Sequence, residues 1–235
     1  MATRLKSWIN IDRLDWDYLS SNPNAIHLLE LEENFDKINW YYLSANPNAI
    51  SILEKNIAEI NWDQLSKNPN AIHLLMKNFD MINWKNLSGN KNAINLLEQY
   101  KYKINWEVLS TNPNAIHLIE KYIEFVDWYS LSSNPNAIHL LESNQDKINW
   151  YALCFNDNGV ELLKKNLDKI NWTLIAGNPN YYQLFLDNID TCDLNSSFNS
   201  FWRELSKNPA AIDLLEENQK KICWSKLSKN PAIFI

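Results

Sequence analysis

Residues 60–83 read I-N-W-D-Q-L-S-K-N-P-N-A-I-H-L-L-M-K-N-F-D-M-I-N, and residues 104–127 read I-N-W-E-V-L-S-T-N-P-N-A-I-H-L-I-E-K-Y-I-E-F-V-D. The same string runs along nearly the whole chain. Trp40, Trp62, Trp84, Trp106, Trp128, Trp150 and Trp172 succeed one another at 22 residues, as do Trp202 and Trp224. With Trp16 they mark about ten tandem repeats in 235 residues, a period that means stacked supersecondary units. Counting tryptophan as position 1, the repeat is W-x-x-L-S-x-N-P-N-A-I-x-L-L-E-x-N-x-x-K-I-N.

Each fixed position has a physical reading. Asn or Asp at position 22 stands just before the tryptophan, where its side chain accepts a free backbone N–H and caps a short first helix, W-x-x-L-S. Ile at position 21 and Leu at position 4 then have hydrophobic-staple spacing. Asn at position 7 caps a second start, and Pro at position 8 takes the first helical place, where its missing N–H costs nothing. The residue before proline is pushed out of the α region, so the first helix ends there. The second helix carries A-I-x-L-L-E, with positions 10, 11, 13, 14 and 17 on one face and the asparagine at position 17 as its stop. Helices this short hold only by burying a face against the next repeat. The predicted fold is therefore an all-α solenoid of two-helix repeats. Its tryptophans (Trp16, Trp40, Trp62, Trp84, Trp106, Trp128, Trp150, Trp172, Trp202 and Trp224) are expected to form a buried spine. Full burial of one removes about 150–250 Å², a gross gain of roughly 4–6 kcal/mol. A leucine-rich repeat of similar length is disfavoured, because position 6, where its strand needs an apolar residue, is Ser21, Ala45, Lys67, Gly89 or Thr111.

Composition narrows the function. A net charge of −6 does not attract a phosphate backbone, so nucleic acid is an unlikely partner. Cys154, Cys192 and Cys223 form no CxxC pair, and an odd number argues against a disulfide framework. No apolar run is long enough to span a membrane, and the start M-A-T-R-L-K-S-W lacks a signal-peptide core, so the expected location is inside the cell, not secreted. Three glycines are very few for any architecture that leans on left-handed turns.

Departures from the repeat suggest where specificity resides. The expected organisation is a capping segment over residues 1–15, in which Trp8, Ile9, Ile11 and Leu14 cover the first repeat, followed by an array over 16–189. The Trp16 repeat has two extra residues around Leu31 and Glu32. Lys91 replaces the proline in the Trp84 repeat, and Gly159 replaces the position-10 alanine in the Trp150 repeat. Tyr181 and Tyr182 stand where Ala and Ile belong, which is expected to widen the helix spacing. An insertion over 190–201 is expected as a loop, followed by two C-terminal repeats over 202–235, the last cut short inside its second helix. An open C-terminal edge would permit self-association.

All four histidines, His27, His73, His117 and His139, fall at position 12, which also accepts Ser51, Asn95 and Glu161. Such a position is polar and solvent-facing. Its spacing along a stack of helices does not converge on a metal, so the row is read as a partner-contact ladder. Ser at position 5 is read as a local backbone hydrogen-bonding group, with Cys154 as its substitute. Glu at position 15 has no second carboxylate at general-acid spacing. No HExxH, GxGxxG, P-loop or GxSxG motif occurs, so no catalytic, metal or cofactor-binding residues are assigned. Tyr41, Tyr42, Tyr129 and Tyr151 at positions 2 and 3, with Tyr181 and Phe198 near the insertion, complete the candidate partner contacts.

The string I-N-W-x-x-L-S-x-N-P-N-A-I-x-L-L-E-x-N, at residues 60–78 and 104–120, resembles a short repeat found in many proteins of giant viruses of the mimivirus kind. The asparagine richness suits the AT-rich genomes of such viruses. The resemblance brings no activity, cofactor or catalytic residues with it. It implies a viral protein made in an infected protist cell, present in its cytoplasm or in the virion. The expected role is a non-enzymatic scaffold binding a host or viral protein, with a self-assembling structural protein as the alternative.

Overall fold

The computed structural model describes residues 5–6, 8–191 and 198–233, with residues 191, 198 and 199 as backbone only. They fall into two compact bodies, Met1–Val126 and Asp127–Ile235, divided at a repeat boundary. Every regular element among the described residues is helical.

The Trp62 repeat shows why the chain folds this way. Asn61 is extended (φ −83°, ψ 102°) and its side chain accepts the Gln64 N–H at 3.0 Å, starting the first helix, Trp62–Leu65. The Asn68 side chain accepts the Asn70 N–H at 3.0 Å and turns the chain into the second helix, Ile72–Lys77. Asn78 Nδ2 donates to the Leu74 carbonyl at 2.9 Å and closes that helix. A short 3-10 segment, Phe79–Met81, then follows. Each regular repeat thus has two α-helices and a third segment at positions 18–20. The asparagine at position 17 does not supply a left-handed stop. No described residue has positive φ, which is why so few glycines suffice.

Within each body the first helices of successive repeats pack side by side, as Trp40–Ala45 does on Trp62–Leu65. In the N-terminal body the core is Leu43, Leu65, Leu87 and Leu109 at position 4, Ala49, Ala71, Ala93 and Ala115 at position 10, and Leu53, Leu75, Leu97 and Ile119 at position 14. The second body repeats the pattern with Leu131, Leu153, Ile175 and Leu205 at position 4.

The tryptophans are not this core. Trp16, Trp40, Trp62, Trp84 and Trp106 are half-buried, as are Trp128, Trp150 and Trp172. Only Trp202, 3% exposed, is buried, and Trp224 is 66% exposed. Position 1 opens the first helix at the edge of the stack, and its ring is covered from one side by positions 17, 18 and 20. Lys37 lies over Trp16 at 4.9 Å, Lys147 over Trp128 at 4.9 Å and Lys221 over Trp202 at 4.8 Å. Such contacts contribute roughly 0.5–1 kcal/mol at exposed sites, far less than full burial.

What joins repeat to repeat is an asparagine ladder. Asn68 Nδ2 donates to the Ser44 carbonyl at 3.1 Å and the Asn46 carbonyl at 2.8 Å, while Asn90 reaches Ser66 and Asn68 at 3.1 and 2.9 Å. In the second body Asn156 does the same to Ser132 and Asn134 at 3.0 and 2.8 Å. These side chains are buried. Oδ1 makes the cap and both amide protons satisfy carbonyls one repeat back, so a single residue type meets three demands. Position 9 adds an exposed rung, Asn70 Nδ2 to the Pro47 carbonyl at 2.9 Å. The serine at position 5 closes each repeat on itself: Ser44 Oγ donates to the Trp40 carbonyl at 2.7 Å and accepts the Asn61 N–H at 3.0 Å.

Three expected breaks take other forms. Tyr181 does not face solvent; it is fully buried. Its ring fills the space above Gly159, where a Cβ would sit 3.1 Å from the Tyr181 hydroxyl. That hydroxyl donates to the Asn156 carbonyl and accepts the Gly159 N–H at 3.2 Å. The region 190–201 is not wholly a loop: a helix spans Phe198–Lys207, beginning four residues before Trp202, and it packs on Trp172–Gly177. Asn208 Nδ2 reaches the Ala176 carbonyl at 2.8 Å, so the ladder continues across the insertion. Residues 192–197 and the Phe198 side chain lie outside the described residues. At the amino end Ile9, Ile11 and Leu14 are half-buried, but Trp8 is 78% exposed. The two extra residues of the Trp16 repeat lengthen its third segment to Glu32–Lys37.

Candidate interaction surface

Position 12 lies on the outer side of the second helices. His73, His117 and His139 are exposed and His27 is half-buried. His73 Nε2 is 2.9 Å from the position-15 glutamate one repeat back, Glu54, and Ser51 Oγ, at position 12 of its repeat, donates to Glu30 at 3.2 Å. Position 16 meets other position-15 glutamates through Lys121–Glu98 at 2.7 Å and, in the second body, Lys165–Glu142 at 3.5 Å. The hydrogen bond between Lys121 and Glu98 lowers the carboxyl and raises the ammonium from their usual values. The position-15 glutamate, solitary within its repeat, is thus paired across repeats. Exposed pairs of this kind contribute little to stability. Among the described residues no group of three or more His, Cys, Asp or Glu side chains is placed to hold a metal.

The first helices present a second face, built on positions 2, 3 and 6. In the N-terminal body Tyr18, Tyr41 and Tyr42 are exposed, and the last two meet edge to face at 5.3 Å. In the C-terminal body Tyr129 and Tyr151 are exposed, and Tyr151 meets the exposed Phe155 edge to face at 5.5 Å. Phe155 is a contact candidate that sequence reasoning missed. Its signal was an aromatic ring at a position otherwise small or polar.

The third segments form an edge whose chemistry sequence reasoning also missed. Position 17 is Asn in the regular repeats but Tyr100 and Tyr122 in two successive ones. Losing the amide that closes the second helix, these repeats gain rings. Phe79 and Trp84 meet Tyr100 at 4.9 and 5.5 Å, and Trp106 meets Tyr122 at 5.8 Å and stacks on Phe125 at 5.4 Å. Lys101 and Lys121 reach over Tyr122 at 5.2 and 5.5 Å. Together Lys101, Tyr102, Ile104, Trp106, Tyr122 and Phe125 line an open cleft of about 380 Å³. Tyr102 is 75% and Phe125 54% exposed.

The nucleophilic groups are structural or solitary. Cys154 is buried, its thiol donates to the Trp150 carbonyl at 3.3 Å in the manner of the position-5 serines, and burial pushes its pKa up. Cys223 is partly exposed and drawn down by a hydrogen bond with Ser225, with no base beside it among its contacts. Burial raises Tyr181 to about 12, which keeps it a neutral donor. No described helix is long and apolar enough to cross a membrane. The chain is an all-helical repeat scaffold, and in comparison with known proteins it matches no family model, no curated protein and no solved structure.

Proposed function

We propose that this chain is a non-enzymatic protein-interaction scaffold, made by a giant virus of the mimivirus kind in an infected protist. One observation carries the interaction role: exposed rings at positions 2, 3 and 6 stand on helices whose inward faces are fully packed and whose buried amides are already partnered. Tyrosine offers large contact area with few rotors to freeze and keeps a hydrogen-bonding tip. Held on stacked first helices, Tyr41 and Tyr42 in one body and Tyr129 and Tyr151 in the other each lose little further entropy when a protein surface covers their own face. The viral origin rests on the repeat string alone.

The test is proximity labelling with pull-down from infected protist cells, using the wild type and a Tyr41→Ala/Tyr42→Ala/Tyr129→Ala/Tyr151→Ala variant. A viral or host protein labelled by the wild type and lost from the variant is the expected result. Identical captures by both, or recovery of the bait alone, would overturn it. Mass spectrometry of uninfected cells checks the origin, since a protein found there is not viral.

A further inference from the structure

Two departures from the repeat in the N-terminal body are opposite in charge. The Trp84 repeat carries Lys85, Lys91, Lys101 and Lys103 against Glu98, a net +3 in a chain of −6. None of those four lysines has an ion pair among the described residues. Lys101 lines the aromatic cleft, and Lys103, on the same third segment, lies over the Tyr102 ring at 5.9 Å. The Trp16 repeat carries Asp17, Glu30, Glu32, Glu33 and Asp36 against Lys37, a net −4. Its two extra residues push Glu32, Glu33 and Asp36 out on a lengthened third segment, with Leu31 and Phe35 exposed among them. That segment is an acidic knob with apolar anchors, and the cleft is a ring-lined socket with Lys101 and Lys103 on its Trp84-repeat side and the exposed Glu124 on the third segment of its Trp106-repeat side.

We infer that the cleft of one copy receives the segment Glu30–Asp36 of a second copy. Helices pack about 8–10 Å apart, so three repeats hold knob and socket of one chain roughly 30 Å apart and bar them from each other. Both lie on the edge formed by positions 15–20. Two copies laid antiparallel along that edge place each knob in the other's socket, a two-fold contact that closes on itself. Leu31 enters among Tyr102, Trp106 and Phe125, while Glu32 and Glu33 meet Lys101 and Lys103. The contact is small and charge-driven, so it is salt-dependent. It goes beyond the scaffold role and leaves the tyrosines of the first helices free.

Sedimentation of the full chain tests this with two exposed-site variants, Lys101→Glu/Lys103→Glu and Glu32→Lys/Glu33→Lys, each checked by circular dichroism for an unchanged fold. The wild type is expected to dimerise with rising concentration, at least about tenfold more weakly in high salt. Each variant alone is expected to stay monomeric, because its knob and socket then share one sign. An equimolar mixture of the two is expected to form a heterodimer. A wild type that stays monomeric throughout, variants that dimerise as the wild type does, or a mixture that fails to pair would each overturn the inference. None of these outcomes bears on capture through Tyr41, Tyr42, Tyr129 and Tyr151, so the two readings fail separately.

Discussion

The Trp62 and Trp172 repeats solve the same joint with different residues. In the first, Ala71 lets the backbones approach, and Asn68 donates both amide protons to carbonyls of the repeat before it. In the second, Tyr181 replaces the alanine, Asn178 reaches only the Cys154 carbonyl at 3.3 Å, and the Tyr181 hydroxyl takes over the Asn156 carbonyl. Gly159 makes the room. The comparison teaches that the Asn156 carbonyl keeps a donor when the ladder amide gives it up, and that a glycine and a tyrosine 22 residues apart can stand in for the two alanines. The joint does not require a particular residue.

The largest effect should come from removing the donors while keeping the shape. Asn68→Asp preserves the cap, since a carboxylate oxygen still accepts the Asn70 N–H, but sets the other oxygen against the Ser44 and Asn46 carbonyls. An uncompensated buried charge costs about 3–5 kcal/mol. Asn70→Asp loses only an exposed rung to Pro47, worth about 0.5–1.5 kcal/mol. Urea unfolding followed by circular dichroism reads both. Equal costs would mean that the ladder is incidental and the cap carries the stability.

Tyr181 sharpens the comparison through pH. Its folded pKa is raised from the ordinary 10.0 to about 12, mainly by burial. A raised folded pKa gives stability that is fully present below pH 10 and lost as pH climbs toward 12. Between those values the unfolded chain has already released the proton that the folded chain still holds. A shift of this size corresponds to about 2–3 kcal/mol. Tyr181→Phe should be weaker at neutral pH by about 1–3 kcal/mol, because the Asn156 carbonyl loses its donor. It should also fall less steeply than the wild type between pH 10 and 12. Parallel alkaline curves would show that Tyr181 ionises without opposing the fold.

How much of this was legible follows from what one repeat contains. The period, both caps, the proline start and the role of the position-5 serine are local, so the string of residues 60–83 is enough to read them. The exposure of the tryptophans is not legible, because hydrophobicity says that a ring prefers burial, not whether neighbours exist to bury it. Position 1 has them only on the side of positions 17, 18 and 20. The second duty of the position-7 asparagine was hidden because its amide reaches back 22 to 24 residues, to another repeat. Gly159 and Tyr181 were each visible as a break. That they compensate each other could have been read from the period, since they are 22 residues apart at the same position. Tyr100 and Tyr122 are hard to see in the sequence because position 17 reads as a helix stop in the other repeats. The Glu30–Asp36 knob was legible as an insertion, but its complement in charge appears only when the repeats are summed one by one.

The smallest effect belongs to Cys154, where a substitution restores the repeat. Serines at position 5 place Oγ 2.6–2.8 Å from the Trp carbonyl, whereas the Cys154 thiol stands at 3.3 Å and is a weaker donor. The Asn171 N–H that a serine would accept here also meets the sulfur. Cys154→Ser therefore strengthens two hydrogen bonds and removes a little buried volume. The two changes oppose each other, so stability should move by less than about 1 kcal/mol, toward the serine. A thiol reagent checks the same environment in the folded wild type. With its pKa pushed up by burial, Cys154 should stay unmodified while the partly exposed, acid-shifted Cys223 reacts. Rapid labelling of Cys154, or a serine variant clearly less stable than the wild type, would break the equivalence. Sulfur packing rather than donor geometry would then be what the Trp150 repeat needs at this joint.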